Sequence, residues 1–109
     1  MSVSGRVERR IRRDFPGEGF AEQLLRLLEA LPEVAGYDPR MLGSERVQAA
    51  VVLAARGSVR GFVDAVQLAR LDWRDLLMAA GLAHRDWPER LDAELGPVVR
   101  RRWWSRRSS

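Results

Sequence analysis

The sequence predicts an all-α fold, a compact bundle of five or six short helices with basic, partly disordered termini. Several segments repeat apolar residues with the period of an α-helix, and no segment alternates apolar and polar residues as a half-buried strand does. β-branched residues other than valine are also sparse. The chain has 109 residues, which is the size of one domain.

The first predicted helix covers residues 6–14 and is basic and amphipathic. Val7 and Ile11 form its apolar face. Another face carries arginines at positions i, i+3, i+4 and i+7, namely Arg6, Arg9, Arg10 and Arg13. We expect three parts along the chain: a basic N-terminal helix (1–16), a helical bundle (17–97) and a C-terminal tail rich in Arg and Trp (98–109).

The second predicted helix covers residues 18–31 and ends at Pro32. Its apolar stripe follows the helical period and consists of Phe20, Leu24, Leu27, Leu28 and Leu31. In the connection that follows, Asp38 precedes Pro39. An N-cap residue followed by a proline at the first helical position predicts one helical turn there.

The third predicted helix covers residues 45–56, with Ser44 as its N-cap. Its centre, AAVVLAA, is apolar on every side, so we expect this helix to lie in the middle of the bundle. Gly57 supplies a left-handed position at its end. Ser58 caps the fourth predicted helix, 59–71, whose expected inward residues are Val59, Phe62, Val63 and Val66.

Two further helices begin at acidic residues. Asp72 is the expected N-cap of the fifth helix, with Asp75 at the capping-box position. Gly81 ends this helix, and Leu82 is expected to pack on Leu77 as in a Schellman motif. The sixth helix covers residues 87–95, opens on Asp86 in the same way and stops at a glycine.

The charges are unevenly distributed along the chain. The central part of the chain is acidic, and both ends are basic. Basic ends of this kind predict contact with nucleic acid or another anionic surface. The candidate contact residues are those of the first helix, Arg6, Arg9, Arg10 and Arg13, and those of the tail, Arg100, Arg101, Arg102, Trp103, Trp104, Arg106 and Arg107. Every basic residue is Arg, a bias that a GC-rich genome also produces, so a merely solvated tail is the competing interpretation.

No pattern in the sequence predicts catalysis, a metal or a cofactor. The acidic pairs 72/75 and 86/89 are explained as helix caps, and Trp73 and Trp87 as residues at the edge of the core rather than a ligand platform. His84 is the only histidine, and the chain has no cysteine, which leaves no metal-ligand set. Phosphate-binding glycine loops and a nucleophile elbow are absent.

The central stretch resembles a group of short bacterial proteins. ERVQAAVVLAARG (45–57) and ARLDWRDLLMAAGLA (69–83) are similar to their E-R-x-Q-x-A-x-L-x-L-A-x-G helix and D-W-R-D-L-L-x-A-A-G helix. The resemblance implies a shared helical core and no particular activity. Both terminal Arg segments lie outside it.

These observations favour a small non-enzymatic adaptor or accessory protein that binds a protein partner. The alternative is a nucleic-acid-associated protein that uses its Arg-rich ends. The oligomeric state is left open. The N-terminus lacks the apolar stretch of a signal peptide, and the longest apolar run, 49–55, is far shorter than the ~20 residues of a membrane span. We therefore expect a cytoplasmic protein.

Overall fold

The computed structural model describes residues 3–34 and 39–96, and it confirms the all-α bundle. The helices in these ranges are α1 (Gly5–Asp14), α2 (Phe20–Val34), α3 (Pro39–Leu42), α4 (Glu45–Ala55), α5 (Val59–Ala80) and α6 (Trp87–Leu95). No strand is found in the described ranges. The short α3 is the single turn that the proline at its start predicts.

The central position predicted for the apolar helix 45–56 is confirmed. The buried residues of α4 cover most of its circumference and are Val47, Gln48, Ala49, Ala50, Val51, Val52 and Ala55. Ser44 caps the helix, since its Oγ accepts the Val47 N–H at 3.3 Å. The left-handed end begins one residue earlier than predicted, at Arg56 (φ 51°), and continues through Gly57.

Helix α1 packs into the same core as the rest of the bundle. Val7 and Ile11 are fully buried, and Phe15 is nearly so. The Phe15 ring meets the Phe62 ring of α5 edge to face, with 5.7 Å between the ring centroids. Helix α1 is therefore an integral part of the bundle.

Helix α5 contains the predicted break at Asp72. The backbone of this residue is extended (φ −160°, ψ 89°), although the helix continues on both sides. Asp72 Oδ1 accepts the N–H groups of Arg74 and Asp75, so it caps the second half of α5 as predicted. At the far end, Gly81 N–H bonds to Met78 O and Leu82 N–H to Leu77 O, which is the predicted Schellman motif.

A glycine lets α4 and α5 approach each other closely. A Cβ built on Gly61 would lie 2.7 Å from the carbonyl oxygen of Ala55 and 3.2 Å from its Cα. Between Phe62 and the break at Asp72, the buried residues of α5 are small, namely Ala65 and Ala69. Small residues at these positions allow the two helices to pack with little space between their backbones.

The predictions for α2 were wrong in two respects. The helix does not stop at Pro32 but runs to Val34, although proline has no N–H to donate and its ring crowds the carbonyl four residues earlier. Phe20 and Leu27, expected inside, are 46% and 40% exposed. The buried stripe is narrower than predicted and consists of Ala21, Leu24, Leu28 and Leu31.

Two further expectations were wrong. Val59 and Val63, predicted to face inward, are 40% and 37% exposed, because the stripe that faces α4 begins at Phe62 and continues through alanines. Asp86 makes no side-chain cap at the start of α6, since its backbone (φ −85°, ψ 16°) lies outside the extended region of a usual N-cap.

Candidate functional site

The arginines predicted to contact anions from the first helix do not share one free face. Arg6 is buried, and its guanidinium is held by groups of the chain itself. It donates to both carboxylate oxygens of Glu45, to Asp92 Oδ1 at 2.6 Å and to Gly96 O at 2.8 Å. The hydrogen bond with Glu45 is the main reason why the pKa of Arg6 is raised. Arg6 therefore joins α1 to α4 and α6.

The other three arginines differ in how they are engaged. Arg10 donates to Asp14 Oδ2 at 2.9 Å and to the Glu94 carbonyl at 2.7 Å. Arg13 is largely exposed, with a longer contact of 3.4 Å to Asp14 Oδ1. Arg9 is exposed, and no carboxylate of the described ranges pairs with it. Only Arg9 and Arg13 of this set present most of their guanidinium to solvent.

The C-terminal part of the predicted contact set lies outside the described residues. This part is Arg100, Arg101, Arg102, Trp103, Trp104, Arg106 and Arg107.

A cavity of about 300 Å³ lies on another side of the molecule, where α3, α4 and α5 meet the chain that leads to α6. Its lining is mostly apolar but includes two arginines. We call it the Arg46–Arg74 pocket and define it by its lining residues, Met41, Arg46, Trp73, Arg74, Leu77, Met78 and Ala83. The Met78 side chain is 67% exposed at its edge, so the pocket opens to solvent.

Arg46 is held in one orientation by two different contacts. Its Nε and Nη2 donate to the Leu82 carbonyl at 2.9 and 2.7 Å. Its guanidinium also lies over the Trp87 ring, 4.6 Å from the ring centroid. The Leu82 carbonyl is free for Arg46 because the Schellman motif turns the chain at this residue. The guanidinium is therefore fixed beside the cavity before any ligand binds.

Within the described ranges, the positive charges of Arg46 and Arg74 have no carboxylate partner. Burial without a compensating anion lowers the pKa of Arg46. Arg74 is exposed and lies over the neighbouring Trp73 ring, 5.1 Å from its centroid. In contrast, the described salt bridges hold several other arginines of the bundle against carboxylates. Among the described residues, the pocket thus combines an apolar lining with positive charge that no carboxylate compensates.

The described lining of the pocket consists of apolar and cationic side chains. None of the lining residues in the described ranges carries a carboxylate, an imidazole, a hydroxyl or a thiol. The acidic residues 72 and 75 do not line it, and His84 is exposed. Trp73 and Trp87 are half-buried at the edge of the core, as predicted.

Two features are absent from residues 3–34 and 39–96. No group of three or more His, Cys, Asp or Glu residues in this part of the chain is placed to hold a metal ion. None of the helices described there has the length and apolar character needed to cross a bilayer.

No protein-family model matches this chain, and neither a curated protein nor a solved structure was found to match it. The resemblance of residues 45–83 to short bacterial helical proteins therefore stays a prediction.

Sequence patterns did not indicate Arg46 and Arg74 as site residues. One available signal is that neither has an acidic residue three or four positions away, where a helix would place a partner. That signal is not specific, because the exposed Arg9 shares it. The sequence pattern places Trp73 at the edge of the core but does not indicate that Arg74 lies over its ring.

Proposed function

We propose that this protein is a non-enzymatic helical adaptor that binds a protein partner at the Arg46–Arg74 pocket. The observation that carries the proposal is the pairing of an apolar cavity with two arginines that have no carboxylate among the described residues. A stable globular domain normally compensates partly buried charge from within. Charge left uncompensated beside an open apolar cavity suits a contact that a partner completes.

The composition of the rim supports a protein as the partner. Methionine is adaptable and is common at surfaces that accept varied partners, and Met41 and Met78 both line the pocket. Arginine and tryptophan are the residues most enriched among those that dominate binding energy in protein interfaces. Binding rather than acid–base chemistry fits the described lining, in which no side chain carries a carboxylate, an imidazole, a hydroxyl or a thiol. The cytoplasmic location expected from the sequence belongs to this proposal.

Site-specific photo-crosslinking tests the proposal in cells of the native host. A benzophenone amino acid is placed at Met78, at the edge of the pocket, and in a matched chain at Leu71, which is 77% exposed and does not line the pocket. We expect a discrete protein adduct from position 78 that is absent from position 71. The adduct should disappear in Arg74→Glu and persist in Arg60→Glu, which makes the same charge change at an exposed site of the same helix. Equal adducts from both positions, or none from position 78, would overturn the proposal.

A further inference from the structure

We infer that the Arg46–Arg74 pocket recognises a short acidic segment of its partner, in which one large apolar side chain fills the cavity and an adjacent carboxylate pairs with the arginines. This inference rests on the proposed function and adds the chemistry of the partner. It follows from three features of the pocket: its size, the unused donors of Arg46 and the distribution of charge around Arg74.

The size and lining of the cavity suit a single large side chain. A volume of about 300 Å³ is at the small end of ligand pockets, which run to about 1,000 Å³. Leu77, Met78 and Ala83 supply an apolar surface against which a Phe, Leu, Ile or Met side chain loses contact with water. The flexible Met78 side chain can adjust to the shape of the inserted group.

The unused donors of Arg46 suit a carboxylate. A guanidinium has five N–H groups in a planar fork, and the Leu82 carbonyl takes one from Nε and one from Nη2. No described residue accepts a hydrogen bond from Nη1 of Arg46. Every fully buried side-chain nitrogen of the described residues has a hydrogen-bond partner, so the unpartnered Nη1 must be in contact with solvent. A carboxylate that reaches Nη1 forms a charge-assisted hydrogen bond with a donor that is already oriented.

Two cations on one cavity also favour an anionic occupant. Arg46 is partly desolvated, which strengthens its attraction for an anion compared with a fully hydrated arginine. Because Arg46 and Arg74 both line the cavity, one carboxylate between them relieves their mutual repulsion. The inserted apolar side chain excludes water and strengthens both ion pairs.

The surroundings of Arg74 favour an isolated carboxylate over the phosphate backbone of a nucleic acid. Asp72 and Asp75 lie within two residues of Arg74, and both are exposed. These carboxylates repel a chain of phosphates, whereas a single acidic residue on a peptide can approach Arg74 from the cavity side. The Trp73 and Trp87 rings are each occupied on one face by a guanidinium, which leaves less ring surface for bases to stack on.

Selection from a displayed library of random short peptides, with the full chain as bait, tests this inference. We expect enriched peptides to carry Asp or Glu next to a large apolar residue. Synthetic copies should bind Arg74→Glu about tenfold or more weakly than the unchanged chain, as expected for loss of a charge-assisted hydrogen bond. Arg60→Glu, at a side chain that is 89% exposed, should bind within about twofold of the unchanged chain. Replacing the acidic residue of the peptide by its amide should weaken binding to a similar extent.

Each other outcome has a defined meaning. Peptides that need Met78 and Leu77 but carry no acidic residue would overturn this inference and leave the proposed docking function standing. Peptides that bind Arg74→Glu and Met78→Asp as well as they bind the unchanged chain would show that they dock elsewhere, which overturns both. Failure to enrich any peptide overturns this inference, while the crosslink from position 78 still decides the docking function. Displacement of the peptides by a single-stranded oligonucleotide at equal charge concentration would assign the pocket to nucleic acid instead.

Discussion

Arg6 and Glu45 form a two-pronged ion pair between α1 and α4, in which Nε–H of Arg6 donates to Oε2 at 2.8 Å and Nη2–H donates to Oε1 at 3.0 Å. Ser4 Oγ–H also donates to Oε2 at 2.7 Å. The Ser4 backbone N–H in turn donates to Gln48 Oε1 at 3.1 Å. This network fixes the start of α1 against α4, so that Val7 and Ile11 enter the core.

Replacing Glu45 by Gln should lower the free energy of unfolding by about 1–3 kcal/mol at neutral pH, because the buried Arg6 loses a charged acceptor but keeps Asp92 and Gly96 O. Urea unfolding followed by circular dichroism measures the change. Glu29→Gln is the matched control, since Glu29 is exposed on α2 and forms no described salt bridge. An equal effect of both variants would show that the Arg6–Glu45 pair contributes nothing specific.

The same pair should make stability depend on acid pH. Hydrogen bonding to Arg6 holds the pKa of the Glu45 carboxyl below its ordinary value. A carboxyl with a lower pKa in the folded chain contributes stability above its unfolded pKa, about 4.3, and loses that contribution as pH falls through the folded pKa. The stability difference between the unchanged chain and Glu45→Gln should therefore shrink as the pH is lowered below about 4. A difference that grows on acidification would contradict this assignment.

Gly61→Ala should destabilise the protein by about 1–3 kcal/mol, although alanine is the better helix former. The added Cβ would lie 2.7 Å from the Ala55 carbonyl oxygen, and because that atom belongs to the backbone, the helices must move apart. Gly5→Ala is the control, since a Cβ at this helical glycine meets nothing within 4 Å. Thermal melting should show a lower midpoint for Gly61→Ala only. A raised melting midpoint in both variants would mean that the higher helix propensity of alanine outweighs the steric contact of the added Cβ with the Ala55 backbone.

The parts of the fold that the sequence predicted depend on local chemistry. Ser44, Ser58 and Asp72 were identified as caps because a cap uses amides two or three residues away, and their side chains accept those amides in the structure. The central position of α4 followed from the apolar character of all its sides. Local signals failed at Asp86, where the residue type suits a cap but the backbone angles do not.

The pocket could not be predicted, because its contacts join residues that are far apart in the sequence. The Leu82 carbonyl that orients Arg46 is 36 residues away from it in the sequence. The same holds for Arg6, which lies outside the pocket and is engaged by the Asp92 carboxylate, 86 residues away. The helical pattern of α1 alone does not distinguish the buried Arg6 from the exposed Arg9. Only the arrangement of the helices decides which arginine is compensated and which remains available.

Asp72→Ala should cost about 0.5–2 kcal/mol, as the loss of an N-cap does, because the N–H groups of Arg74 and Asp75 lose their acceptor. Asp86→Ala should cost less, since the Asp86 side chain accepts no cap hydrogen bond. Chemical denaturation of the two variants side by side gives the comparison. Equal losses would indicate that Asp72 acts through its charge alone.

The alternative hypothesis, that the protein binds nucleic acid through its Arg-rich ends, leads to a final prediction about α1. Phosphate binding releases counterions, so affinity falls with salt at a log–log slope of about 0.7 per contact on single strands. Because Arg6, Arg10 and Arg12 are held by acceptors of the chain itself, we expect α1 to contribute through Arg9 and Arg13 only.

Replacing Arg9 and Arg13 together by Gln should therefore lower the slope by at most about 1.4, measured by fluorescence anisotropy with a labelled single-stranded oligonucleotide at several salt concentrations. Arg60→Gln with Arg56→Gln is the matched control, since it removes the same charge from exposed positions outside α1. A fall in slope well above about 1.4 for the α1 variant, or an equal fall in the control, would contradict the assignment of α1 binding to Arg9 and Arg13 alone. At about 50 mM salt, the attraction between charges extends beyond about 10 Å. If the full chain does not bind the oligonucleotide even under these conditions, the nucleic-acid hypothesis is wrong.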